Sequence, residues 1–543
     1  MRRISILTAG LMILALVAGS PADAKRGSRK QVRPQVSGVV KAQSKPLRPG
    51  VNRGASGRVL RAPAGGAVFA SVPITVGPEQ NVIVGDVTNL PGNPGEHPSG
   101  PACLVGDQTP QNETTIAIDP TNPNNLIGGA NDYRYFVDSE QRYDGSAAAY
   151  VSHDGGGTWS NVFMPGISEE AGGTYQGVGD PAFAWEPDGS EVYYANIAFN
   201  RVANPDTGHS AFASAIAVSK SENKGDTWTT NYVVQSDSSS VFHDKEWIAV
   251  GPDGAVYVTW ARFQFQPKGK TGLGNYEASP IVISKSTDEG ATWSAPKVIS
   301  GRFAQFSTPV VHDDGTPDGV IYVSFEEWNN PVGRNGGRAF VAKSEDGGAT
   351  WSKHFVGRVN DLPSPLPHSG FRVASYPVID VDDDGDLHML WSNWQSGSAD
   401  IVYTRSTDGG ASWSRPVKIN QESGKTDQFF QWIDASGDYV HVGFVDRQYT
   451  GDALLDHSYV VSPDGGDTWS QTVRVTSASS PSNASLFGTN CTGEFIGDYT
   501  GITASGNTAH VLWMDGRPGT QPASPTGDET DQDAFHATVT VGP

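Results

Sequence analysis

The chain has 543 residues and a net charge of −21, from 38 Lys and Arg against 59 Asp and Glu. So acidic a body is repelled by phosphates, which speaks against a nucleic-acid partner. The two cysteines, with no His or Cys cluster at zinc spacing, offer no zinc site.

Taken in chain order, Met1-Arg2-Arg3, the apolar run from Ile4 to Gly19 and Ala22-Asp23-Ala24 form the three parts of a secretory signal peptide over residues 1–24. The mature protein is expected to be secreted and extracellular, because no other stretch is long and apolar enough to span a bilayer. Residues 25–62 carry eleven Lys or Arg and no acid, and 25–78 reads as a disordered basic tail. That tail is either a solvated linker or an electrostatic contact to an anionic cell envelope. With a net +1 before it and +11 within it, residues 63–543 are left with −33.

From residue 79 to 543 the chain is periodic. Ser-x-Asp/Asn-x-Gly-x-Thr/Ser-Trp begins at Ser152, Ser221, Ser286, Ser344, Ser406 and Ser462, at steps of 69, 65, 58, 62 and 56 residues. A period of that length predicts supersecondary units that bury their apolar faces only against neighbours. In the copy Ser406 to Trp413, the Ser and Asp oxygens suit turn amides, Gly410 suits positive φ, and the Trp packs back on the sheet. In step with this motif run short apolar strands at Thr115 to Ile118, Ala182 to Trp185, Trp247 to Val250, Pro309 to Val311, Pro377 to Ile379, Trp432 to Asp434 and Gly501 to Ala504. Asp-Gly turns such as Pro252-Asp253-Gly254 follow several of them.

Seven starts predict an all-β, seven-bladed propeller of four-stranded antiparallel blades, with six blades as the alternative. The last unit lacks the Trp motif and one strand, and an open sheet edge invites aggregation. Asn81 to Val87 is the expected donor of the missing strand. Such closure would bring the loops of Cys103 and Cys491 side by side, so a disulfide is expected, with separate thiols as the alternative. A monomer is expected.

The repeated motif is the Asp box, or bacterial neuraminidase repeat, and the chain resembles the sialidase-like β-propellers. In that family the box is an outer-rim hairpin, which marks scaffold and not chemistry. The resemblance implies a glycoside hydrolase, an exo-α-sialidase or another glycosidase, acting on an extracellular glycan or glycoconjugate. A non-catalytic glycan-binding or adhesion propeller is the alternative. Sialidases hold the substrate carboxylate with three arginines and attack with a Tyr activated by a Glu. Their Phe-Arg-Ile-Pro element ahead of the first Asp box is replaced here by Gln111-Asn112-Glu113-Thr114, and the nearest match is Phe371-Arg372-Val373-Ala374.

Propeller ligands meet loops that enter the innermost strand or leave the second. Entering loops supply Asn112, Glu113, Asp180, Asp244, Lys245, Arg372, Tyr376, Asp427, Gln428, Glu494, Asp498 and Tyr499. Leaving loops supply Asp132, Arg134, Arg262, Glu326, Glu327, Asn393, Asp446-Arg447 and Asp515-x-Arg517, the last two pairs reading either as an anion clamp or as salt bridges between neighbouring blades. Tyr499 is the candidate phenolic nucleophile or stacking ring, and Asp498 or Glu494 can polarise it. Asp446, Arg447, Asp515 and Arg517 are the candidate anion clamp, with Arg262, Arg372 and Glu327 completing the candidate catalytic set. No cofactor is expected. The stretch Asp380 to Asp386 alternates carboxylates like a calcium loop, but Trp391 stands where the bidentate Glu belongs, so no metal is predicted.

Overall fold

Short strands closed by Asp-Gly turns leave each sheet with apolar faces it cannot bury alone, and stacking sheets around an axis buries them. The computed structural model describes residues 66–84 and 110–542, apart from 138, 140–141, 205, 239, 267–274, 330–335, 423, 483–485, 488–492 and 518–531. Seven antiparallel sheets follow one another along the chain, so the ring has seven blades and not six. Their innermost strands are Gln111–Ile118, Gly177–Trp185, Val241–Val250, Ala304–His312, Val378–Val381, Gln428–Ser436 and Gly501–Ser505. All seven starts read from the sequence fall on these strands, the fifth beginning at Val378 and not Pro377. Packing runs from blade to blade: Ile216 and Val218, Val256 and Val258, and Ile321 and Val323 belong to one buried cluster spanning the second to fourth blades. No helix among the described residues is long and apolar enough to cross a membrane.

Each Asp box joins the third strand of a blade to the outermost one, as Ser406 to Trp413 does between Ser398–Ser406 and Val417–Lys418. Ser406 Oγ accepts the Gly410 N–H at 2.9 Å, Asp408 accepts the Ser412 N–H at 2.8 Å, and the Trp413 indole donates to the Gly410 carbonyl at 3.2 Å. Gly410 has φ +84°, as the turn requires. The stretch Asp380 to Asp386 is an intra-blade turn, with Asp382 accepting the N–H groups of Asp384 and Asp386. Asp380 accepts the Ala435 N–H of the next blade at 2.7 Å, which makes it a staple between blades.

The ring closes with the N-terminal segment, which starts upstream of the expected Asn81 to Val87 and takes in its first residues, the Val82 N–H donating to the Ala534 carbonyl at 3.0 Å, while 85–87 lie outside the described residues. Ile74–Val76 pairs antiparallel with Val539–Val541, and Gln80–Asn81 pairs with Phe535 and His536. The first strand of the propeller thus lies inside the stretch 25–78 that reads as tail. Val68–Phe69 lies parallel to Thr468–Trp469 and covers the last Asp box. Glu79 then ties the closure to the seventh blade through Arg517 at 3.1 Å. The signal peptide, the basic run 25–62, Cys103 and Cys491 lie outside the described residues.

This closure predicts a sharp contrast between two truncations. Deleting residues 1–65 should leave the melting temperature and gel-filtration profile unchanged. Deleting residues 1–82 should expose the edge of Asp533–Val541, cost about 2–4 kcal/mol from lost apolar burial and strand pairing, and give aggregated elution. Identical melting of the two would contradict the closure.

Candidate functional site

Five innermost strands break register at one equivalent place. The breaks fall between Asn112 and Thr115, Gly179 and Ala182, Asp244 and Trp247, Gln305 and Thr308, and Phe429 and Trp432. The first inserted residue has positive φ each time: Glu113 at 57°, Asp180 at 54°, Lys245 at 53°, Phe306 at 57° and Phe430 at 52°. None is glycine, and left-handed backbone costs such a residue roughly 1–2 kcal/mol. Bulges re-aim side chains, and here the first three bring charged groups of blades 1, 2 and 3 onto one another.

Lys245 is the centre. Its ammonium lies 3.1 Å from Glu113 Oε1, 3.0 Å from Asp180 Oδ1 and 3.3 Å from Asp498 Oδ2, so blades 1, 2, 3 and 7 share one cation. Arg372, on the connection from blade 4 to blade 5, grips Asp498 with two bonds of 3.0 and 2.7 Å and comes within 3.8 Å of Glu113. Its guanidinium stacks over Phe495 at 4.5 Å. Asn131 donates to Glu113 Oε2 at 2.8 Å while its own oxygen accepts the Asp180 N–H at 2.8 Å. Tyr376 donates to the Asp498 carbonyl. Gly497, at φ +86°, lets the loop before Asp498 press against Glu113, since an added Cβ would lie 2.6 Å from the Glu113 amide nitrogen.

Two residues further along the innermost strands, the axis is filled with aromatic rings. Trp247 of blade 3 meets Trp432 of blade 6 with ring centroids 4.3 Å apart. Tyr499 stands edge-on to Trp247 at 5.6 Å, and the Lys245 ammonium sits 4.6 Å from the centre of the Tyr499 ring. The charged cluster therefore rests on an apolar floor.

Burial decides the protonation states. Glu113 is 1% exposed. Desolvation pushes its carboxyl up to about 7, and the hydrogen-bonded Asp180 carboxyl adds to this against the pull of Lys245 and Arg372. Asp244 is pushed up to about 6 by burial, and Glu246 is raised well above the usual carboxylate range for the same reason. For Lys245, burial disfavours the cation, but the Asp180, Glu113 and Asp498 carboxylates outweigh it and hold the ammonium charged. The cluster thus holds a proton near neutrality beside a permanent cation. Among the described residues, the one trio of carboxylates at metal-like spacing, Glu191, Glu222 and Glu289, already surrounds the Lys220 ammonium.

Of the residues singled out from the sequence, Arg372, Asp498 and Tyr499 come together here. The Tyr499 hydroxyl is buried with no hydrogen-bond partner among the described residues, and burial raises its pKa well above 10, the opposite of an activated nucleophile. Asp446 accepts bonds from Gln428, Gln448 and Ser458 inside blade 6. Arg447 is buried against Asp427 at 3.3 Å and the carbonyls of Pro367 and His368. Arg517 grips Asp515, two residues earlier, at 2.8 and 2.7 Å. The expected clamp is therefore scaffold. Glu327 is spent on Lys353 at 2.6 Å and on the Gly301 N–H. Arg262 is half-buried on the second strand of blade 3, its Nε without a partner among the described residues. Glu494 closes the short strand Gly493–Glu494, and its side chain lies outside the described ones.

Glu113, Asp180, Asp244 and Lys245 stood among the entering-loop positions without being assigned a role, and Glu246 was missed. A signal existed: Glu113, Asp180 and Lys245 each stand two residues before the apolar part of an innermost strand.

Two family models agree with the repeats of this architecture. The BNR repeat-like domain family matches residues 208–428, and the BNR/Asp-box repeat matches 150–161. No curated protein matches the sequence. Among solved structures, a polysaccharide lyase described as an ulvan lyase is 13% identical, covering 79% of this chain and 94% of its own, at a TM-score of 0.44. A Hadza microbial sialidase is 14% identical over 76% of this chain and 74% of its own, at 0.40. The Trypanosoma rangeli sialidase is 16% identical over 65% and 55%, at 0.38.

Proposed function

Starting from a chain that is a sialidase-like Asp-box (BNR) β-propeller, we propose that it is a secreted glycan-acting enzyme, a glycosidase working at the axial cluster. One observation carries this reading: Glu113, 1% exposed, shares the Lys245 ammonium with Asp498, and burial pushes its carboxyl up to about 7. Glycoside hydrolysis needs a proton donor for the leaving oxygen and an anionic carboxylate facing the positive charge that grows at the anomeric carbon. Glu113 fills the first role and Asp498, oriented by Arg372, the second. Arg372 is the most exposed member, at 21%, and marks the side from which a sugar approaches the cluster.

The competing reading, a non-catalytic glycan-binding propeller, draws on the burial of every carboxylate in the cluster. The reaction separates the two. The full-length protein incubated with a broad panel of oligosaccharides should release product, detected by mass spectrometry; retained binding with no release from any of them would leave only the binding module. Tyr499→Phe should change turnover less than about threefold, because a phenol with a raised pKa contributes neither base nor nucleophile. A loss of a hundredfold or more, as about 10²–10⁴ is typical of removing an acid–base group, would return the chemistry to Tyr499.

A further inference from the structure

The charge arrangement around the axis bears on which sugar the site accepts, an inference that rests on the enzymatic reading above. Five acids, Glu113, Asp180, Asp244, Glu246 and Asp498, meet only two cations, Lys245 and Arg372. Both cations are already engaged, Lys245 by three carboxylates and Arg372 by the two-pronged grip of Asp498. Arg447 and Arg517, which the sequence offers as an anion clamp, are engaged elsewhere, Arg447 by Asp427 and the Pro367 and His368 carbonyls, Arg517 by Asp515 and Glu79. Arg262 makes no hydrogen bond or ion pair to the cluster among the described residues.

What the cluster does leave unused is hydrogen-bonding capacity. Asp244 Oδ2 and both oxygens of Glu246 are buried without partners among the described residues, in side chains each 2% exposed. Buried acceptors without donors are costly, and a ligand that donates to them relieves that cost. A carboxylated or sulfated sugar brings more acceptors and more negative charge, into a body whose residues 63–543 already carry −33. We infer that the axial site takes a glycan whose reacting sugar carries no carboxylate or sulfate, recognised through hydroxyl or amino donors. The chain would thus share the scaffold of sialidase-like propellers while rejecting sialic acid.

The test compares three arms on the full-length protein at equal concentration: neutral hexose oligosaccharides, amino-sugar oligosaccharides, and acidic ones (sialosides, uronides and sulfated glycans). Product release is read by mass spectrometry, and binding to the Glu113→Gln variant by calorimetry. Release and binding should favour a neutral or amino arm over the acidic arm by at least about tenfold, since like-charge juxtaposition is strongly penalised. Preference for the amino arm identifies ammonium recognition, and equal use of both identifies hydroxyl recognition; either supports the inference. Release chiefly from the acidic arm overturns it while leaving the enzymatic reading intact. Neither release nor binding in any arm overturns both. Asp498→Asn, which frees the Arg372 guanidinium, should strengthen sialic acid binding about tenfold; an unchanged affinity overturns the claim that this pairing rejects the acid sugar.

Discussion

Glu113→Gln should lower turnover of the preferred glycan by about 10²–10⁴-fold, the usual contribution of a positioned acid, while the protein remains folded. Gln is isosteric with the protonated acid and keeps one acceptor oxygen, which serves either Lys245 or Asn131, since these donate to different oxygens of Glu113. Melting of the variant close to wild type at pH 5 separates loss of activity from loss of the scaffold. Wild-type turnover should fall as pH climbs through about 7, because the proton Glu113 donates is lost there. Stability follows the same sign. The folded pKa is raised above the ordinary 4.5, so the stabilising share of Glu113 is complete below that value and is lost as pH rises through about 7. Gln cannot ionise, so the variant should melt progressively higher than wild type as pH goes from about 5 to about 8. Activity of the variant within about threefold of wild type would remove Glu113 from the mechanism.

Lys245→Met should be the most damaging single change to the fold. The ammonium is buried, at 6% exposure, and neutralises carboxylates from three other blades. Deleting one partner of a buried ion cluster costs about 3–5 kcal/mol because it strands the opposite charges. Glu113, Asp180 and Asp498 would then repel one another at the point where blades 1, 2 and 7 meet. Thermal unfolding should shift down by several degrees at pH 8, and less at pH 5, where Glu113 takes up a proton. Adding Asp180→Asn should recover part of the loss; a double variant as unstable as the single one would mean that Lys245 acts through its apolar stem and not its charge.

The ring was legible because the Asp box binds its own turn. Its Ser, Asp, Gly and Trp find partners within eight residues, so the local sequence contains the whole interaction, and the spacing of copies counts the blades. The site is legible only in part, because its contacts are remote. Lys245 meets Glu113 across 132 residues of chain and Asp180 across 65, and nothing in either segment names the other. The same locality misled where Asp and Arg stand close together: Arg517 finds its carboxylate two residues back, so a conspicuous pair turns inward instead of facing a ligand. The closing strand illustrates a missed periodicity. Val72, Ile74 and Val76 alternate and pack against the seventh blade, as a half-buried edge strand must, whereas Val82, Ile83 and Val84 form a continuous run that drew attention to Asn81 to Val87.

The protonation of Glu113 is the point on which the mechanism turns, and infrared difference titration of the carboxyl bands, wild type against Glu113→Gln, measures it directly. The wild-type protein should show one carboxyl band that titrates near pH 7 and is absent from the variant. A difference spectrum in which Glu113 ionises at about 4.5, like an exposed glutamate, would contradict the account.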